Sequence, residues 1–170
     1  MPDVVIEPVD EANAGPAVRF LLGWVSDGEA DARQHLAEHS GDDGASLAAM
    51  RDHRVIGIVS VLWESDYAGF RDRGIPLVHQ LAVAGPFRRQ GVAVQLMSAA
   101  EELARDHGAA ELGITVGLFD DYGPAQRLYS RLGYLPDARG ACQGREPLRK
   151  GMRVTIDDDL ILWLTKDLHR

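Results

Sequence analysis

The pattern of apolar and polar positions is most informative between residues 77 and 103. Residues 77–83 form a mainly apolar run of the length expected for a buried strand, and Gly85 and Pro86 end it. After this break, apolar residues recur at helical spacing until Gly108 supplies a stop. Those on one face are Val92, Leu96, Ala99, Ala100 and Leu103. The stretch therefore predicts a strand, a tight turn and a helix.

The same periodicities predict the order of elements along the rest of the chain. Short apolar or alternating runs indicate strands at residues 3–9, 45–50, 55–63, 110–116 and 160–164. Apolar spacing indicates a helix at residues 14–25. Ser26 and Glu29 have the spacing of a capping box, which predicts that a second, mostly polar helix follows at residues 29–39. Residues 64–76 are expected to form a polar loop, and residues 137–150 a long connection with one irregular strand. We find no repeat or linker, so residues 1–170 are expected to form one domain.

The turn before the long helix has the features of a phosphate-binding site. The first turn of a helix carries unpaired N–H groups and a partial positive charge, which attract phosphate oxygens. Gly91 and Ala93 leave the backbone accessible, and Arg88 and Arg89 add positive charge. The sequence lacks both the P-loop pattern and a G-x-G-x-x-G after a strand. These observations predict a diphosphate site of another kind, although a plain strand-to-helix turn with exposed arginines is the alternative.

Two motifs in this order resemble the GNAT superfamily of N-acetyltransferases. The first is R-x-x-G-x-A at Arg88, Gly91 and Ala93, where a strand is followed by a helix. The second is A-x-x-L-Y-x-x-x-G-[FY], which here comprises Ala125, Leu128, Tyr129, Gly133 and Tyr134. The resemblance implies an α/β (α+β) fold with a mixed, mainly antiparallel sheet of six or seven strands. About four helices would flank the sheet, and two strands would splay apart after the central strand.

The resemblance also implies an acyltransferase that moves an acetyl group from acetyl-CoA to a primary amine of a small molecule or peptide. The amine would attack directly in a ternary complex, with acetyl-CoA as the only cosubstrate and no metal. The residues expected to bind coenzyme A are Leu81, Ala82 and Val83 along the pantetheine arm, Arg88, Arg89, Gln90, Gly91, Val92 and Ala93 at the diphosphate, and Ala125 and Tyr129 in the second motif.

Tyr129 is the expected general acid for the departing coenzyme A thiolate, again by resemblance. Its position on an apolar helical stripe is also typical of a core tyrosine. One departure from the family pattern concerns the loop before Ala125, where many members carry an asparagine that contacts the pantetheine arm. Tyr122 stands at that position here, and the loop contains no asparagine. The replacement for that contact is left open.

An amine is mostly protonated at neutral pH, so the reaction also needs a proton acceptor. The candidates are Glu64, at the end of a predicted strand, then His79 on the central strand, with Asp66 as a further possibility. A histidine suits this role because its pKa lies near neutral pH. The alternatives are solvated loop carboxylates for Glu64 and Asp66, and for His79 a hydrogen-bonded side chain that faces away from the site.

His35, Glu38 and His39 match H-x-x-E-H, the inverted zinc-peptidase pattern, and so offer a remote alternative as a zinc hydrolase. A catalytic zinc needs a third protein ligand, which the sequence does not identify. We therefore expect an exposed histidine pair on a mostly polar helix. Cys142 is similarly expected to be an ordinary residue rather than a reactive thiol.

Composition limits the remaining classes of function. The net charge of −8 argues against a nucleic-acid surface and fits an amine-bearing acceptor. A single cysteine excludes an internal disulfide and suits the cytoplasm. No apolar run has the roughly 20 residues of a membrane span, and no secretory signal is visible. A homodimer is compatible with the resemblance, and a non-catalytic coenzyme A-binding regulator is the second alternative function.

Overall fold

The computed structural model describes residues 3–24 and 28–169. The strands are β1 Val5–Pro8, β2 Gly44–Arg51, β3 Arg54–Leu62, β4 Leu77–Val83, β5 Glu111–Gly117, β6 Leu135–Pro136, β7 Cys142–Gln143, β8 Glu146–Pro147 and β9 Leu160–Asp167. They form one sheet in the order β1-β2-β3-β4-β5-β9-β7-β8, with β6 paired to β9. Among the described strands, all pairings are antiparallel except β4 with β5.

Helices cover both faces of the sheet. They are α1 Ala14–Leu21, α2 Glu29–Glu38, α3 Ala68–Arg71, α4 Val92–Asp106 and α5 Gly123–Leu132, with 3₁₀ turns at Gly85–Phe87 and Asp120–Tyr122. Since side chains alternate along a strand, Val59 packs in the same core cluster as Leu96 of α4, whereas Ile58 packs with Val18 of α1. The expected α/β architecture is confirmed. The structure has more strands and helices than expected because it includes three strands of two residues each and the short helix α3.

Strands β4 and β5 diverge near the middle of the sheet. Their parallel pairing consists of Leu77 with Gly113 and Val78 with Ile114. Beyond Val78, β4 continues to pair with β3 on its other edge as far as Val83. The second half of β4 therefore presents one edge without a strand partner among the described residues. This confirms the predicted splay after the central strand.

A β-bulge lies at the point of divergence. The register between β3 and β4 passes from Ser60 opposite Gln80 to Val61 opposite Val78, so His79 has no residue opposite it. Bulges of this kind redirect side chains and are frequent next to active sites. Here the bulge determines where the imidazole of His79 lies.

Residues 64–76 differ from the expected polar loop. Tyr67, Phe70 and Ile75 are buried, and the Tyr67 ring stacks on Trp163 of β9 with centroids 4.0 Å apart. A Cβ atom at Gly113 would collide with Phe70, so glycine is required there for this packing. The prediction was wrong because these apolar residues are interspersed with charges and their partner is distant in sequence.

Two expectations near the first helices fall partly outside the described residues. Helix α1 ends at Leu21, whereas the predicted helix ended at Val25. Val25 lies outside the described residues, and so does Ser26, the first residue of the expected capping box. Helix α2 spans Glu29–Glu38, close to the predicted 29–39. Across residues 3–24 and 28–169, no helix has the length and apolar character needed to cross a bilayer.

Candidate active site

A cavity of about 440 Å³ opens where β4 and β5 separate. Its lining combines apolar, aromatic and polar side chains, two of them acidic, from six parts of the chain. The lining residues are Trp24, Val78, His79, Gln80, Leu81, Ile114, Thr115, Phe119, Asp121, Tyr122, Tyr129 and Asp158. A cavity with convergent polar groups at a divergence of strands is typical of a ligand-binding site.

The second half of β4 forms one wall of this cavity and leads away from it. Leu81 lines the cavity, and Ala82 and Val83 continue the strand towards the following turn. The backbone groups on the β5 side of this segment have no ladder partner among the described strands. Such groups can pair with the amides of an extended ligand, as an added strand would.

The turn that follows β4 has the backbone of an anion-binding loop. Arg89 and Gly91 have φ values of 61° and 84°, and Gly91 is the N-cap of α4. No side chain caps this helix, whose first turn begins at Val92. Residues with positive φ beside helical residues turn successive N–H groups towards one point, which suits a phosphate group.

Arg88 does not extend freely from this loop. Its Nε donates a hydrogen bond to the Val83 carbonyl at 3.0 Å, and its guanidinium lies 5.4 Å from the Trp24 ring centroid. Gln90 similarly donates from Nε2 to the Pro86 carbonyl at 2.8 Å. These two side chains hold the loop in shape, whereas the exposed Arg89 makes no side-chain hydrogen bond or ion pair with the described residues. The uncapped backbone N–H groups at the start of α4 are therefore the donors that this loop can offer to an anion.

Tyr129 lies on α5 with its ring in the main core and one side against the cavity. It is 7% exposed, and its hydroxyl makes no hydrogen bond to the described part of the protein. Burial, with a smaller contribution from Tyr122, raises the pKa of Tyr129 to about 12. The hydroxyl therefore keeps its proton at neutral pH and is available to a bound ligand.

Tyr122, which stands where the asparagine was expected, packs its ring over Gly117 at the end of β5. Its hydroxyl donates to Asp158 Oδ1 at 3.1 Å. Gln126 donates from Nε2 to the Gly117 carbonyl at 2.8 Å, so α5 satisfies the end of β5. Asp121 and Asp158 give this side of the cavity its negative charge. Ala125 is half-buried against the core and does not belong to the lining of the cavity.

His35, His39 and His79 form a group that we call the three-histidine cluster. His35 and His39 are 8% and 1% exposed, so the expectation of an exposed pair was wrong. Their rings stack with centroids 4.1 Å apart, and His79 of β4 stacks on His39 at 4.9 Å. His35 of α2 and His39, which caps the C-terminal end of α2, lie against the sheet, where Ser60 and Ser46 provide polar neighbours.

Hydrogen bonds connect the members of the cluster. His39 Nδ1 lies 2.6 Å from the His35 carbonyl, and His39 Nε2 lies 2.8 Å from His79 Nδ1. His35 Nε2 lies 3.2 Å from Ser60 Oγ, which is 2.8 Å from Ser46 Oγ. Burial lowers the pKa of all three histidines, that of His35 to about 4. The cluster is therefore neutral at pH 7.

Two serines in the sequence are a signal for this cluster. Ser46 and Ser60 occupy inward-facing positions of β2 and β3 between buried aliphatic residues, and they are 6% and 0% exposed. Buried hydroxyls require partners. Two such serines, read with the spaced histidines of α2, would have predicted that the histidine face of that helix lies on the sheet.

The other proposed bases lie outside the cavity. Glu64 is exposed and is not among the residues that line the cavity. Asp66 is exposed and forms an ion pair with Arg145. Glu38, the acid of the zinc-peptidase pattern, is exposed and accepts a hydrogen bond from Gln34 at 2.7 Å. Of the candidates, only His79 belongs to the cavity wall. Cys142 is fully buried, and burial raises the pKa of its thiol, which does not favour reactivity.

Solved structures share this fold over nearly the whole chain. An acetyltransferase of the GNAT family from Streptococcus pneumoniae has a TM-score of 0.70 at 18% identity, covering 97% of this chain and 99% of that one. The ribosomal-protein-S18-alanine N-acetyltransferase from Escherichia coli has a TM-score of 0.69 at 14% identity, with coverages of 98% and 94%. YhbS, a GNAT N-acetyltransferase from Escherichia coli solved in complex with CoA, has a TM-score of 0.64 at 22% identity, with coverages of 99% and 83%.

The sequence itself identifies the family. No curated protein sequence matches the chain with significance. The family described as "Acetyltransferase (GNAT) family" matches residues 16–134, which include the splayed strands, the anion-binding loop and Tyr129. The chain therefore belongs to the GNAT acetyltransferase family and is an acyltransferase of the N-acetyltransferase class.

Proposed function

We propose that this enzyme transfers the acetyl group of acetyl-CoA to a primary amine of a small molecule or peptide, by direct attack in a ternary complex. The observation that carries the proposal is the shared position of three features. The unpaired edge of β4, the Tyr129 hydroxyl and the His79 imidazole all border one cavity at the splay between β4 and β5.

The edge of β4 and the loop after it form a continuous path for coenzyme A. The pantetheine amides pair with the backbone of Leu81, Ala82 and Val83, which lead from the cavity to the loop. The diphosphate binds the N–H groups of residues 89–93 at the start of α4. Backbone N–H groups near Val83 polarise the thioester carbonyl as negative charge develops on its oxygen.

Tyr129 protonates the departing thiolate in this mechanism. A phenol with a pKa of about 12 stays protonated at neutral pH, so its proton is present when the carbon–sulfur bond breaks and negative charge develops on the sulfur. Its location in the cavity wall, without a competing protein acceptor among the described residues, leaves its proton for the sulfur. This role distinguishes it from a tyrosine that only fills the core.

His79 accepts the proton of the attacking amine, directly or through water. A carbonyl only accepts hydrogen bonds, so His39 must carry its proton on Nδ1, where it faces the His35 carbonyl. A neutral His39 then accepts at Nε2, and the donor is Nδ1–H of His79. With this tautomer, Nε2 of His79 carries a lone pair, and it has no hydrogen-bond partner among the described residues. We therefore prefer His79 to the exposed Glu64.

The acceptor is expected to be cationic before it reacts. Asp121 and Asp158 line the cavity beside the aromatic rings of Trp24, Phe119 and Tyr122. Carboxylates attract a protonated amine, and aromatic faces contribute cation–π attraction. This local arrangement agrees with the net charge of −8.

Release of free thiol from acetyl-CoA, measured against a panel of amines, tests the proposal. The panel contains polyamines, aralkylamines, amino sugars and peptides with free N-termini, and mass spectrometry identifies the acetylated product. At least one amine should accelerate thiol release, and the His79→Gln variant should lose most of that acceleration. Tight coenzyme binding without turnover on any member would instead favour the non-catalytic regulator.

A further inference from the structure

We propose that the three-histidine cluster binds a divalent transition metal ion of the zinc class. One ring nitrogen from each of His35, His39 and His79 lies within 4.8 Å of the other two. Imidazole is a preferred ligand of Zn²⁺, Co²⁺, Ni²⁺ and Cu²⁺. Three protein nitrogens with a fourth position open to a cavity is a known coordination pattern for zinc.

The scaffold provides ligands from two rigid elements. His35 of α2 and His39 at its C-cap are four residues apart, about one helical turn, and His79 is held at the β-bulge of β4. A tetrahedral ion with Zn–N bonds of about 2.0 Å requires nitrogens roughly 3.3 Å apart. The His39 Nε2 to His79 Nδ1 distance of 2.8 Å must therefore widen slightly, and the His35 nitrogen must approach. Since His79 is exposed, its ring has room for this movement.

The hydrogen bonds around the cluster are those of an outer coordination sphere. His39 Nδ1–H donates to the His35 carbonyl, which fixes the tautomer that presents Nε2 as a ligand. Ser60 and Ser46 form a hydroxyl pair next to the His35 ring. The carboxylate of Glu38 adds negative potential at all three rings.

The ion would take the place of the proton that His79 shares with His39. When the metal–nitrogen bond forms at His79 Nδ1, the Nδ1 proton leaves and Nε2 gains one, so the imidazole stays neutral. His79 Nε2 then carries N–H instead of a lone pair. If the proposed role of His79 as base holds, metal binding inhibits acetyl transfer; this consequence rests on the proposed function, whereas metal binding itself does not.

Calorimetric titration of the full chain with Zn²⁺, and the visible absorption of bound Co²⁺, test the site directly and without acetyl-CoA. The wild type should bind one ion per chain. Two variants each remove one proposed ligand: His79→Gln in β4 and His39→Gln at the C-cap of α2. Each should weaken metal affinity at least about tenfold, because the loss of even an outer-sphere partner lowers metal affinity by about that factor. Circular dichroism of each variant establishes that it is folded.

His53→Asn is the matched control. His53 is exposed in the turn between β2 and β3, and its positive φ of 60° is one that asparagine tolerates. This variant should bind the ion as the wild type does. The proposal is overturned if the wild type binds no ion, if His79→Gln binds it unchanged, or if His53→Asn weakens binding equally. Acetyl transfer in the presence of a chelator, then with added Zn²⁺, tests inhibition separately, so absence of any transferase activity leaves the binding result decisive.

Discussion

Tyr129 is the residue that we propose as the general acid, the role that distinguishes an enzyme from a coenzyme-binding protein. Replacing Tyr129 with phenylalanine keeps the ring in the core and removes the hydroxyl that borders the cavity. We expect kcat to fall about 100-fold, the lower range for a general acid, with little change in acetyl-CoA affinity. Tyr134→Phe is the control, because the Tyr134 hydroxyl donates a hydrogen bond to Glu101 and Tyr134 does not line the cavity. A fall of less than about twofold in Tyr129→Phe would show that the acid lies elsewhere.

The raised pKa of Tyr129 predicts how the rate responds to alkaline pH. An unperturbed tyrosine has a pKa of about 10, so half of it would be deprotonated at about pH 10. Since burial raises the pKa of Tyr129 to about 12, its acid form persists through this range. The rate should therefore rise as the amine loses its proton and show no decline up to about pH 10.5. A decline in kcat centred near pH 10 that is absent from Tyr129→Phe would show that Tyr129 titrates with an ordinary tyrosine pKa, and would contradict the raised value.

Gly91 is the residue on which the anion-binding loop depends. Gly91→Glu places a carboxylate at the N-terminus of α4 and forces an L-residue to a φ of 84°. We expect calorimetry to detect no acetyl-CoA binding while the chain remains folded. Gly108→Glu is the matched control: it has a φ of 89° and open space around its Cβ, but lies at the other end of α4. Equal loss of binding in both variants would mean that strain, rather than the loop, causes the effect.

At the scale of elements, a buried ion pair connects α4 to β9. Lys166 Nζ lies 2.8 and 2.7 Å from the two carboxylate oxygens of Glu101, whose side chain is 7% exposed. Tyr134 donates to the same carboxylate at 3.2 Å. Lys166→Met leaves that carboxylate without its main partner, with Arg105 at 3.8 Å as the remaining cation. We expect the free energy of unfolding in urea to fall by about 3 kcal/mol.

Arg33→Met provides the comparison for that measurement. Arg33 pairs with Glu29 on the surface of α2, where the two side chains are 59% and 62% exposed. An exposed pair one helical turn apart contributes about 0.4 kcal/mol. A loss in Lys166→Met no larger than that in Arg33→Met would show that the α4–β9 pair does not stabilise the fold.

The elements that local pattern determines were predictable from the sequence. Residues 77–83 were predicted as a strand with the bounds that β4 has, because an apolar run followed by Gly85 and Pro86 is a local signal. The loop before α4 was predicted for the same reason. The burial of residues 64–76 depended on Trp163, and the position of His35 and His39 depended on a bulge at His79. Contacts that join distant segments leave little trace in local periodicity.

At the scale of the whole molecule, the sheet creates the site by separating two of its own strands. Every proposed chemical group is placed by that separation: β4 offers its free edge and His79, and α5, which follows β5, offers Tyr129. The loop that opens α4 continues from the same strand, so the ends of a bound coenzyme would contact one uninterrupted segment. The same cavity receives Asp121 from the connection between β5 and α5, and Asp158 from the segment before β9.

Hydrogen exchange of the full chain with and without acetyl-CoA tests this arrangement most directly. If the coenzyme pairs with the free edge of β4 and with the loop after it, peptides covering residues 81–93 should exchange more slowly on binding. Peptides from β1 and β2, at the far edge of the sheet, should not change. Protection confined to another part of the chain, or none at saturating acetyl-CoA, would contradict the central claim that the splay between β4 and β5 is the acetyl-CoA site.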